Sequence, residues 1–390
     1  MRRCHRGFEP IVFGLAVWLA SPTIGCGGHE RAPAAEEIAQ LLRLPDGFPL
    51  PSVPADNPLT REKIELGRHL FYDPALSANG MQSCASCHVQ ARAFTDGRET
   101  ALGSTGQVHP RNSQSLTNVA YNATLTWANP LLVSIEQQVM VPLFGELPIE
   151  LGVTGHEDLV LDRLRDSPMY RELFAAANPD AEAPIAWPSI IRALASFCRA
   201  LISGRSPFDR FVYGHDAQAI SDSAKRGLDL FFSERLECHH CHGGFNFTLS
   251  STHDGVVADA AAFHNTGLYN VDERGGYPDD NTGVHAVTHR SEDMGRFRAP
   301  TLRNIAVTAP YMHDGSVASL EDVVRIYEAG GRLLSGGPHA GDGRTNPHKS
   351  GLVTGFRLTD GERRDLLAFL ATLTDQTFLS DPELASPFEE

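Results

Sequence analysis

Two CxxCH pentapeptides stand in this chain: CASCH, with Cys84, Cys87 and His88, and CHHCH, with Cys238, Cys241 and His242. A thiol pair at this spacing can add across the two vinyl groups of a haem. The histidine directly after the second cysteine is then held under the iron as its proximal ligand. The spacing is mechanical, because two thioethers fix the ring and leave the adjacent imidazole little freedom. One Cys4 zinc site built from the two CxxC pairs is the competing reading. Zinc pairs usually lie closer together in a chain, and zinc leaves both histidines unexplained.

The other cysteines agree with a chain made for haem attachment outside the cytoplasm. Arg2, Arg3 and Arg6 form a positive start, and residues 11–20 form an apolar stretch too short to span a membrane. TIGC at 23–26 resembles a bacterial lipobox, with Cys26 as the lipidated first mature residue; plain secretory cleavage is the alternative. Cys4 lies within that signal. Of seven cysteines only Cys198 then remains, in the apolar stripe Ile190, Ile191, Leu194, Phe197, Cys198, Leu201, Ile202. There it reads as a small core residue. A net charge of −15 argues against nucleic acid as a partner.

The elements that must hold these motifs repeat. LGRHLFYDPALSANGMQSCASCH and RGLDLFFSERLECHHCH each place a glycine and a Leu-Phe pair (Gly67, Leu70, Phe71; Gly227, Leu230, Phe231) on a short helix that leads through a turn into CxxCH. Helical spacing predicts further helices over 186–203, 319–329 and 359–374. Pro188 sits in the first turn of one, Ser319 caps another, and a Thr359–Glu362 capping box opens the third. Few runs alternate, so the fold reads as mostly α with long loops. The organisation is a signal over 1–26, a first haem domain over 27–215, a second over 216–378 and a tail over 379–390. The long stretch 243–298 is expected to pack over the second haem.

The segments FTDGR, RNSQSLTNVAYNATLTWANP, PLFGELPIELG, FRAPTLRNIAVTAPYMHDGS and LEDVVRIYEAGG occur in the order that resembles the bacterial di-haem cytochrome c peroxidase and MauG superfamily. AYNATLTWANPLL and PLFGELPIELG resemble most the MbnH-like subgroup, whose members oxidise tryptophan on a partner protein. The resemblance implies two tandem cytochrome c-like domains. His88 and His242 would be proximal iron ligands, and peroxide would bind at the first haem. Gln138 and Glu150 match the polar pair above that iron, and Trp127 the tryptophan between the haems. Asn112, Thr308 and Pro310 match the ligands of an interdomain calcium ion. Tyr327 stands where cytochrome c peroxidases carry a Met ligand to the second iron. Met294, Met312 and His313 are the competing ligands, with His313 expected to hydrogen-bond within the haem pocket. Where some relatives carry a distal histidine on the first haem, this chain has Ser104; His109 is near but out of register. An open first iron is therefore expected.

Peroxide cleavage needs a proton acceptor for the near oxygen and a donor for the leaving one, and a single carboxylate can serve as both. Phenolate favours oxidised iron whereas Met favours reduced iron. Tyr327 therefore points to storage of oxidising equivalents. Its alternative is a core residue on the Leu320, Val323, Val324 face. The leading expectation is an exported enzyme that uses hydrogen peroxide to oxidise an aromatic residue of a protein substrate. A peroxidase fed by a small cytochrome or cupredoxin, and a plain di-haem electron carrier, are the competing readings. His253, His285, His289, His339 and His348 lie in polar stretches and read as solvated rather than as a copper site.

Overall fold

Six helices set the two CxxCH regions in the computed structural model, which describes residues 35–256 and 263–388. They are α1 (Arg61–Tyr72), α2 (Ile135–Phe144), α3 (Trp187–Arg199), α4 (Asp222–Phe231), α5 (Leu320–Glu328) and α6 (Asp360–Ala371). The strands described are two antiparallel pairs of two residues each, Phe263–His264 with Phe297–Arg298 and Leu333–Leu334 with Gly341–Asp342. The mostly helical expectation holds. The export signal and Cys26 lie outside the described residues. Among those residues no helix is long and apolar enough to cross a membrane.

The repeat read from sequence is a repeat of helix pairs. α1 crosses α3 at Gly67, where an added Cβ would sit 2.0 Å from the Ala193 carbonyl oxygen. α4 crosses α6 at Gly227, where a Cβ would sit 1.9 Å from the Asp365 carbonyl oxygen. Glycine is what lets backbone meet backbone at these crossings. The aromatic behind each crossing also repeats. Phe71 packs on Phe197 with ring centroids 5.1 Å apart, and Phe231 on Phe369 at 5.2 Å.

The predicted caps form. Ser319 accepts from the Asp322 amide at 3.1 Å, and Thr359 and Glu362 exchange both bonds of a capping box. α3 ends earlier than its apolar stripe, at Arg199. The Ser203 amide goes instead to Asn118 Oδ1, at 2.7 Å, and the Gly204 and Arg205 amides go to the Asp375 carboxylate. These side chains outcompete another helical turn.

The polypeptide after α6 returns to the first helix pair. Phe378 and Leu384 are buried in the core built by α1 and α3. Tyr72 donates to the Leu384 carbonyl at 2.7 Å, and Gln90 donates to the carbonyls of Phe378 and Asp381. The segment after 378, read as a tail, is thus a strap on the first haem region.

Candidate active site: two haem cavities and the wall between them

Each CxxCH motif lines its own cavity. Cys84, Cys87 and His88 line the first and Cys238, Cys241 and His242 the second, with about 1730 and 1680 Å³ of atom-free space, solvent at the mouths included. The two CxxC pairs therefore cannot close one Cys4 site around a zinc ion. The thiols are held neutral: burial pushes Cys87 and Cys241 up to about 11 and Cys238 up to about 12. Neutral buried sulfur suits a thioether better than a thiolate ligand.

Both histidines are prepared as ligands. His88 Nδ1 donates to the Phe94 carbonyl at 2.8 Å. His242 Nδ1 lies 3.1 Å from the Pro300 carbonyl and 3.3 Å from that of Phe247. A proton fixed on Nδ1 leaves the Nε2 lone pair for a metal. Burial lowers the pKa of both rings, that of His242 to about 4, so both are neutral, as ligation requires.

The far walls differ. Gln138 and Glu150 line the first cavity together. Gln138 projects from α2, which a Ser134–Gln137 capping box opens. Glu150 follows on a loop folded back against that helix: the Leu151 amide donates to the Pro142 carbonyl at 2.9 Å and the Val153 amide to that of Leu143 at 3.0 Å. The loop is pinned from outside by Gln107 Oε1, which accepts from the Ile149 amide, and by the Ser104 amide, which donates to the Glu150 carbonyl. Burial pushes the Glu150 carboxyl up to about 7. Gln138 Oε1 is buried with no partner among the described residues. A carboxyl raised by burial and an unpartnered amide oxygen thus line one cavity. His109 lines this cavity too.

Tyr327, Met312, His313 and His264 line the second cavity beside leucines and valines; Met294 does not reach its lining. Burial, then the thiols of Cys241 and Cys238, push the Tyr327 phenol well above its ordinary range. A phenolate forms there only against a strong cation, such as the iron His242 would hold. His313 stacks on Phe297 with ring centroids 3.6 Å apart. Its Nε2 is buried without a partner among the described residues.

Asn112, Ser113, Gln114 and Trp127 line both cavities and form the wall between them. Trp127 is clamped: its indole donates to the Asn112 carbonyl at 2.9 Å, and its own carbonyl accepts from the Arg298 amide at 2.8 Å. The buried Arg298, which sequence reasoning missed, donates to the Thr126 carbonyl at 3.1 Å. Its only sequence signal is the FRAP segment. Thr308 and Pro310 line the second cavity with Asn112.

A family model described as di-haem cytochrome c peroxidase matches residues 61–217. The methylamine utilization protein MauG of Methylorubrum extorquens is 35% identical, over 89% of this chain and 89% of that protein. The chain belongs to the di-haem cytochrome c peroxidase family. The cytochrome-c peroxidase IdrP1 of Denitromonas iodatirespirans is 34% identical, over 91% of this chain and 94% of its own length. A solved structure described as a MauG-like protein associated with microbial copper homeostasis is 49% identical. It superposes with a TM-score of 0.86, over 88% of this chain and 98% of that one. The chain is thus a peroxide-reactive di-haem oxidoreductase with two c-type haems, and its cavities, thiols and imidazoles fit both groups.

Proposed function

We propose that this enzyme takes peroxide at the first haem, shares the oxidising equivalents with the second through Trp127, and uses them to oxidise an aromatic residue, Trp, on a partner protein. The observation that carries this reading is the contrast between a carboxyl and amide pair over the first cavity and a phenol over the second. When bound, the haems supply redox-active iron, held through His88 on one side and through His242 and Tyr327 on the other. Glu150 takes the proton from the near oxygen of peroxide and returns it to the departing one. Gln138 orients peroxide and water. A carboxyl that titrates near neutrality suits both transfers. The Trp127 clamp keeps the indole fixed between the cavities.

The likeness to the copper-homeostasis protein supports a partner from copper handling. A calcium ion would take the Asn112 side-chain oxygen, whose amide nitrogen is engaged with the Arg98 carbonyl, and the carbonyls of Thr308 and Pro310. The N-terminal signal pattern supports a periplasmic enzyme anchored through Cys26. Met312, in the same cavity lining as Tyr327, supports a second reading. As the ligand it would make this a peroxidase fed by a small redox protein.

Optical and EPR spectra of the haem-loaded protein, before and after stoichiometric hydrogen peroxide, test the assignment. One high-spin and one low-spin haem, followed by long-lived near-infrared absorption that Tyr327→Phe abolishes with haem content unchanged, is the expected result. Full retention of that absorption in Tyr327→Phe sinks the ligand role. Loss of it in Met312→Leu instead moves the ligand to Met312.

A further inference from the structure

The two residues inside the second CxxCH motif are His239 and His240, and neither lines the haem cavity. They turn to the outer side of the attachment loop. There both Nε2 atoms converge on one carboxylate, that of Glu234. His239 Nε2 lies 3.6 Å from Glu234 Oε1, and His240 Nε2 lies 3.2 Å from Glu234 Oε2. The imidazole centroids are 4.1 Å apart. Glu237 adds a further carboxylate oxygen 3.1 Å from His240 Nε2. Among the described residues this is the one group of three or more histidine, cysteine, aspartate or glutamate side chains whose donor atoms could close on a metal ion, with one atom from each all within 4.8 Å of one another.

We propose that Glu234, His239 and His240 form a binding site for a divalent transition-metal cation on the outside of the second haem-attachment loop, with Glu237 beside it. The two nitrogen-to-carboxylate separations, one to each oxygen of Glu234, are those of neighbouring donor atoms in a coordination shell. Ligand bonds of roughly 2.0–2.2 Å at tetrahedral angles put donor atoms about 3.4 Å apart, between the two distances to Glu234. As exposed ion pairs these contacts would contribute little, whereas a cation between them would take the lone pairs of both Nε2 atoms. Two imidazoles with carboxylate select Cu²⁺, Zn²⁺ or Ni²⁺ over Ca²⁺ or Mg²⁺, and Cu²⁺ binds tightest in the ordinary order. Attached haem fixes the loop on both sides of the histidine pair, so the site is preformed in the haem-loaded protein. The ion would sit beside the thioethers of the second haem, apart from the peroxide site.

The test is calorimetric titration of Zn²⁺ into haem-loaded protein that carries no polyhistidine tag. The expected result is one site per chain, weakened about 100-fold or more in Glu234→Gln and in His240→Asn, since loss of a ligand should cost at least as much as loss of an outer-shell partner. His289→Asn, elsewhere on the surface, should leave it unchanged. With Cu²⁺, EPR should show coupling to two nitrogens, reduced to one in His240→Asn. Glu234→Gln leaves the CxxCH residues untouched, so it decides the matter even if His240→Asn lowers haem content. Absence of binding to the unaltered protein, or undiminished binding to Glu234→Gln, overturns the proposal.

Discussion

Below the haems the two halves of this protein are nearly the same object; above them they are not. Each half crosses two helices at a glycine, stacks a phenylalanine pair behind the crossing, and ties its histidine Nδ1 to a nearby carbonyl. Each also moors its distal helix to the second helix of the pair through an arginine and a carboxylate. Glu136 of α2 takes both Arg199 nitrogens of α3 at 2.7 Å. Glu328 of α5 takes Arg363 of α6 at 2.9 and 3.1 Å. What the moored helix then presents is different: Gln138 with the Glu150 loop in one half, Tyr327 in the other. One scaffold builds two cavities alike, and a few side chains on their far walls distinguish them; the proposed division of labour rests on that difference.

The largest effect should come from removing the polar half of that contrast. Glu150→Gln keeps shape and removes the proton acceptor, and should slow reaction with peroxide by about 10²–10⁴-fold, read by stopped-flow absorbance. The direction with pH follows from the raised carboxyl. Glu150 is protonated below about 7 and ionised above it, so the rate should climb as pH rises through about 7, and the variant should lose that limb. Stability runs the other way. Ionising a group whose folded pKa lies above its ordinary 4.5 costs stability progressively as pH rises from there to about 7. The variant should melt with less pH dependence over that window. A pH-independent rate in the unaltered enzyme would remove Glu150 from the mechanism.

The two moorings should break unequally. Arg199 is 3% exposed, whereas Arg363 and Glu328 are 12% and 15% exposed. Glu136→Ala strands a buried guanidinium and should cost about 3–5 kcal/mol. Glu328→Ala leaves its arginine nearer water and should cost about 1.5–3 kcal/mol. Thermal denaturation measures both costs. Glu136→Ala should also slow the peroxide reaction by loosening the helix of Gln138. Equal losses in the two halves would mean that burial does not distinguish the moorings.

Much of this was legible because the signals are local. CxxCH spacing, capping residues at Ser319 and Thr359, and the Gly-Leu-Phe repeat act within a few positions of themselves, and the structure keeps them. What was not legible depends on distant partners. The pinning of the Glu150 loop by Gln107 and Ser104 is one such case, since the resemblance named Glu150 but not what holds it; and α3 stops early because Asn118 and Asp375 claim the amides that follow it. The strap of Phe378 and Leu384 returns to a core built by residues from the start of the chain. His239 and His240 read only as spacers within a haem motif. Nothing in their neighbourhood says that both rings turn to the same carboxylate.

The smallest expected effect is the one that tests whether the repeat is physical. Gly67→Ala and Gly227→Ala each place a methyl group against a backbone carbonyl oxygen, at 2.0 and 1.9 Å. Backbone cannot rotate aside as a side chain can, so the helices must separate. Overpacking of this kind costs about 1–3 kcal/mol, partly offset by alanine's better helix propensity, worth about 1 kcal/mol. The net losses should be close to each other, because the crossing geometry is. Their consequences should differ. Gly67→Ala shifts α1 against α3, which anchors the helix of Gln138, and should disturb the peroxide reaction. Gly227→Ala shifts α4 against α6, which anchors the helix of Tyr327, and should disturb the near-infrared response instead. Paired melting curves and paired peroxide titrations measure this. If both variants altered the same spectroscopic feature, the two halves would be mechanically one, and the division of labour would not follow the repeat.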